Sequence, residues 1–149
     1  MMKKILGLFL MLLSVSLVSC NDDCNEGDKP TPASFFVEIT DETTDENVFE
    51  NETYTFQQIT IVDANDETIP FEFIENNNLI QIFPPVANET GNTFTIRLNN
   101  ETTMQSDEIS TTYDVSSQEG ECFTTFKIEN ILFPNNTSNL VEGVYVIKI

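Results

Sequence analysis

Period-two alternation of apolar and polar residues constrains this chain more than any other feature. Phe94, Ile96 and Leu98 alternate with Thr93, Thr95 and Arg97. Ile109, Thr111, Tyr113 and Val115 alternate with Ser110, Thr112 and Asp114, and Cys122, Thr124, Phe126 and Ile128 alternate with Phe123, Thr125, Lys127 and Glu129. Successive side chains of a strand point to opposite faces, so this is the pattern of a sheet with one buried and one wet face. Shorter runs at 35–40, 53–62, 69–75, 79–83 and 144–149 share the Thr, Val, Ile, Phe and Tyr content that half-buried pleated surfaces favour. After the first twenty residues no stretch has a helical period.

The segments between the runs, 41–47, 63–68, 76–78, 87–92 and 99–107, are rich in Asn, Asp, Glu, Thr and Gly, which form turns by side-chain hydrogen bonding or left-handed backbone. Pro84-Pro85 ends a run because proline cannot donate to a strand ladder. About eight strands with turn signals at short intervals predict an all-β fold, an antiparallel β-sandwich of immunoglobulin-like type, with a small closed barrel as the alternative. Residues 131–133 and 134–138 read as a long connection before the last strand. Twelve Phe and abundant Ile and Val are enough to fill one core.

The first twenty residues follow another rule. Lys3-Lys4 precede an apolar run over 5–18, and the run ends at Leu17-Val18-Ser19-Cys20. A basic start, a short apolar segment and a small residue before the cleavage point make a signal peptide. Leu17, Ser19 and Cys20 resemble the lipobox of bacterial lipoproteins. That resemblance implies cleavage after Ser19, acylation of Cys20 and export from the cytoplasm. The apolar run is short for a membrane span, which takes about 20 apolar residues, and lengthening it would bury Asp22 and Asp23. A secreted form without lipid leaves Cys20 unexplained. Two or more acyl chains hold a protein stably on a bilayer, so the polypeptide needs no amphipathic helix of its own. Asn21-Asp22-Asp23 looks like the short acidic signals that send some lipoproteins to the outer face of the outer membrane, which favours cell-surface display over a periplasm-facing orientation.

The expected organisation is a signal peptide at 1–19, a lipidated flexible tether at 20–33 with Pro30 and Pro32, and a sandwich domain at 34–149. Cleavage would leave four basic residues against all 25 acidic ones, a formal charge of −21 compared with −19 for the whole chain. Such a charge repels phosphate backbones and excludes nucleic acid as a partner. It provides no polybasic patch for anionic lipid, and it favours a soluble monomer through self-repulsion.

Three cysteines include Cys20, leaving Cys24 and Cys122. In an oxidising compartment an even remainder reads as a disulfide; the other possibility is two separate thiols, one of them buried as a small hydrophobe. The whole layout also resembles a family of small one-domain lipoproteins of Gram-negative bacteria, to which no reaction is assigned. The matching features are Asp23-Cys24, Tyr113, Cys122-Phe123 followed by Phe126-Lys127, and the closing strand at 144–149. Thr124-Thr125 stands where a Cys-Gly-aromatic run is more typical. The resemblance implies the fold and the Cys24–Cys122 pairing, and no chemistry.

The chain has no His, and nucleophilic catalysis by Ser or Cys ordinarily needs an imidazole base. Zinc and copper lose their commonest ligand for the same reason. No Gly-rich phosphate loop is present. Paired carboxylates for glycoside cleavage are available by residue type, but Trp is absent and the domain is small for a deep cleft. Calcium has two candidate turns, Asp63-Ala64-Asn65-Asp66-Glu67 and Asp41-Glu42-Thr43-Thr44-Asp45-Glu46. Neither completes an EF-hand, and solvated turns account for both. Five Asn-x-Thr/Ser sequons, at Asn51, Asn88, Asn100, Asn135 and Asn136, read as turn composition. The expectation is a lipid-anchored envelope protein without catalytic activity or cofactor, serving as a surface interaction module. The alternatives are an accessory subunit of an outer-membrane complex and a calcium-stabilised adhesion module.

Overall fold

The computed structural model describes Cys24, Gly27 and residues 29–149. The expected signal peptide at 1–19 and Cys20 lie outside these residues. Among the described residues nine strands form: β1 Phe35–Thr40, β2 Ile59–Asp63, β3 Phe71–Ile74, β4 Leu79–Ile82, β5 Asn92–Asn100, β6 Gln105–Glu119, β7 Thr124–Leu132, β8 Ser138–Val141 and β9 Val144–Lys148. They make a five-stranded sheet in the order β3-β4-β1-β9-β8 and a four-stranded sheet in the order β2-β5-β6-β7.

The two sheets pack as a sandwich. Val37, Ile39, Ile80, Ile82 and Ile147 from one sheet and Ile59, Ile61, Phe94, Ile96, Leu98, Ile109 and Tyr113 from the other belong to one buried cluster. The alternation read from sequence is visible directly: in β5 Phe94, Ile96 and Leu98 are buried, and in β6 Ile109, Thr111, Tyr113 and Val115. Each side chain of this kind contributes about 1.5–3 kcal/mol when fully buried, which is what offsets ordering the backbone.

Pairing is antiparallel except between β1 and β9, where Phe36 faces Val144 and Thr40 faces Lys148 in parallel register. The first and last strands thus lie side by side at the centre of the larger sheet. An immunoglobulin-like order would place the first and second strands together and the third with the sixth and seventh. The observed order does not reproduce it, because β1 pairs with β4 and β9, and β2 with β5.

Three local readings also change. The run at 53–62 is a strand only from Ile59; a 3-10 turn occupies Phe56–Gln58, fixed by the Thr55 N–H donating to Gln58 Oε1 at 2.9 Å. β7 continues to Leu132 through a register shift opposite Thr112 and Asp114, where two residues of β7, Asn130 and Ile131, face one of β6, Tyr113. Asn130 takes the left-handed conformation there (φ 50°), and Asn130 Nδ2 donates to Asp114 Oδ2 at 2.8 Å. A bulge of this kind resets which residues face inward, so Ile128 and Ile131 both turn toward the core despite their spacing of three. Finally, Ser138, expected to end the connection, instead opens the strand 138–141. Its hairpin to β9 turns on Glu142-Gly143, both at positive φ (50° and 87°) with Val141 opposite Val144, as a two-residue primed turn requires.

Candidate functional site

The sandwich has two unlike ends. At one end β6 runs beyond β5: Asn92 opposes Tyr113, so residues 114–119 have no β5 partner and pair with β7, with Val115 N–H also donating to the Glu89 carbonyl at 2.8 Å. This β6–β7 arm ends in a turn in which the Gly120 N–H donates to the Phe123 carbonyl at 3.0 Å. Cys122 sits in that turn and is bridged to Cys24, with a Cα–Cα distance of 5.5 Å. Of the predicted site residues, Cys24 and Cys122 are therefore brought together, and Cys20 lies outside the described residues. Pro30, Pro32 and Ser34 line a shallow cleft with Phe126 and Ile128 of the arm. Gln81 Nε2 donates to Ser34 Oγ at 2.9 Å as the chain enters β1.

At the opposite end the connections 41–58, 75–78 and 101–104 gather. Two buried asparagines clip them. Asn47 Nδ2 donates to the Asn78 carbonyl at 3.2 Å, and Asn100 Nδ2 donates to the Thr53 carbonyl at 2.9 Å. The clips assemble an aromatic cleft of about 260 Å³ lined by Phe49, Phe56 and Phe73 with Glu52 and Asn78. Phe49 meets Phe73 edge to face at 5.1 Å between centroids, and Phe56 stacks on Phe73 at 5.5 Å and 14°. Phe56 remains 41% exposed. Sequence reasoning missed this cleft: two of its rings come from the 41–58 connection and the third from β3, and no local signal marks them. Tyr54, beside them, is fully buried and donates its hydroxyl to Asp107 Oδ2. Burial, with the Asp107 carboxylate as acceptor, pushes the phenol well above its ordinary range.

The acidic turns spend their carboxylates internally. Asp63 Oδ1 accepts the backbone N–H of Asn65 at 2.8 Å and of Glu67 at 2.9 Å, and Asp66 Oδ1 accepts from Arg97 at 3.1 Å. Asp41 Oδ1 accepts the N–H groups of Thr43 and Thr44 at 2.9 and 2.8 Å, and Asp45 pairs with Lys148. Backbone donors hold Asp41 and Asp63 below the usual carboxylate range; the Asn130 amide does so for Asp114, and the Lys127 ammonium for Glu129. A general acid needs its pKa raised, so these four are shifted in the wrong direction for that role. Among the described residues no group of three or more His, Cys, Asp and Glu side chains is disposed to hold a metal ion. Two of the five sequon asparagines serve turns: Asn51 Oδ1 accepts the Thr53 N–H at 3.0 Å, and Asn100 Oδ1 accepts that of Thr102 at 3.1 Å.

Fold and bridge together define a class, a single sheet sandwich stapled by a disulfide to its own N-terminal segment. No protein-family model, curated protein or solved structure matches the chain.

Proposed function

We propose that this protein is a lipid-anchored, non-catalytic interaction module of the bacterial envelope, displayed at the outer-membrane surface. The observation that carries the reading is the Cys24–Cys122 bridge, which joins the body of the sandwich to a segment only four residues beyond the lipobox cysteine. A staple at that position is suited to an exported domain held at its N-terminus. Acylation of Cys20 supplies the membrane attachment, and no cofactor takes part.

The non-catalytic reading draws on the absence of His from the sequence and on Asp41 and Asp63 being committed to the backbones of their own turns. The acidic exterior keeps the domain monomeric and away from nucleic acid, while the aromatic cleft of Phe49, Phe56 and Phe73 offers a partner an apolar contact. Asn21-Asp22-Asp23 favours the outward leaflet. Protease shaving of intact cells tests this: loss of the domain supports surface display. Protection in intact cells, with cleavage after the outer membrane is opened, supports the periplasm-facing subunit instead.

A further inference from the structure

The bridge decides which end of the domain lies next to the membrane. We infer that the β6–β7 arm is the face the domain turns to the lipid surface, and that the aromatic end is the face it presents outward. The inference rests on acylation of Cys20 and adds an orientation to it.

Chain reach sets the orientation. A polypeptide spans at most about 3.3–3.6 Å per residue. Cys24 is four residues from Cys20, so an anchor at Cys20 holds the Cys24 backbone within about 14 Å of the acylated residue. The bridge passes that restraint to Cys122 at the arm tip, whose Cα is 5.5 Å from that of Cys24. Without the bridge, the covalent path from Cys20 to the first strand, at Phe35, is fifteen residues, a reach of about 50 Å. That is about the length of β6 itself and would let faces other than the arm tip meet the membrane.

The far end is correspondingly distant. β6 runs from Gln105 to Glu119 without interruption, about 45 Å at the usual rise of a strand. Met104, 89% exposed in the β5–β6 turn, marks one limit and Cys122 the other. The aromatic cleft lies on Met104's side, tied there by the Asn100–Thr53 hydrogen bond. The arm has no affinity of its own for anionic headgroups, since Glu119 and Glu121 flank its tip. Orientation therefore comes from the covalent restraint and not from attraction.

The test uses the acylated protein, purified from membranes, methyl-labelled at Met and Ile and placed in phospholipid nanodiscs carrying a headgroup spin label. The oxidised protein should show paramagnetic broadening at Ile128 in the arm at least threefold greater than at Met104. In a Cys24→Ser/Cys122→Ser variant the contrast should collapse toward equality, and reduction of the unaltered chain with dithiothreitol should do the same if the double variant does not fold. Equal broadening at both ends of the oxidised protein overturns the orientation while leaving the anchor intact, and an undiminished contrast after reduction overturns the bridge as what sets it. A chain that does not elute with the nanodiscs overturns acylation itself, and the orientation with it.

Discussion

Thr111 sits on the inward face of β6 with 1% of its surface exposed, and its hydroxyl has no hydrogen-bond partner. A buried polar group without a partner costs about 1–3 kcal/mol. Thr111→Val keeps the shape and suits a strand, so it should raise the denaturant midpoint by the equivalent of about 1 kcal/mol. Tyr113, two residues on, is satisfied: its hydroxyl donates to the Pro85 carbonyl at 2.7 Å. Burial, and next the Asp63 charge, push its pKa up to about 12. An unfolded tyrosine titrates near pH 10, so the neutral, buried phenol stabilises the fold fully below pH 10. That contribution is lost as pH rises toward about 12. Chemical denaturation between pH 8 and 12 should show stability falling over that window, with a shallower fall in Tyr113→Phe. The same variant should lose about 1 kcal/mol at neutral pH, with the Pro85 carbonyl unpaired.

Among the elements, β7 and β8 show best what was legible in the sequence and what was not. The alternations in β5 and β6 are uninterrupted and each faces a single core, so the period alone locates them. β7 changes phase at Asn130, and a one-residue bulge cannot be distinguished from the end of a strand by counting alternation. β8 is short and mostly exposed, and its hairpin turn carries Glu142 where Asn or Asp would have signalled it. The bridge was legible once Cys20 was set aside as the expected acylation site, which left Cys24 and Cys122 to pair. The aromatic cleft was not, since Phe73 is distant in sequence from Phe49 and Phe56, and the connections are gathered by hydrogen bonds such as those of the buried Asn47 and Asn100. Asn130→Gly should be nearly neutral, whereas Asn130→Val should cost about 1–2 kcal/mol, because a β-branched residue resists left-handed backbone. Thermal melts of the pair would separate this from simple loss of the Asp114 contact. Cys122→Ser should cost up to about 4–5 kcal/mol, as expected for a closed loop of about 100 residues.

For the molecule as a whole, 25 acidic against six basic residues make charge the dominant long-range term. The ion pairs of Arg97 with Asp66 and Glu108, and of Lys127 with Glu129, lie in solvent and contribute little. Self-repulsion outweighs them, so added salt should stabilise the domain by screening, with a melting temperature several degrees higher at 0.5 M than at about 0.01 M sodium chloride. With Asp41 and Asp63 committed to their own turns, calcium should act only as ionic strength does. A rise with millimolar calcium exceeding that of an equal ionic strength of sodium chloride would instead identify a specific site. The whole account turns on how the chain is attached. The most direct measurement is the intact mass of the protein extracted from the membrane fraction, with tandem fragmentation of its N-terminus. The account predicts a chain beginning at Cys20, carrying a diacylglyceryl group on that sulfur and lacking two hydrogens for the Cys24–Cys122 bridge. A chain that retains Met1, or begins elsewhere with Cys20 absent or unmodified, contradicts it.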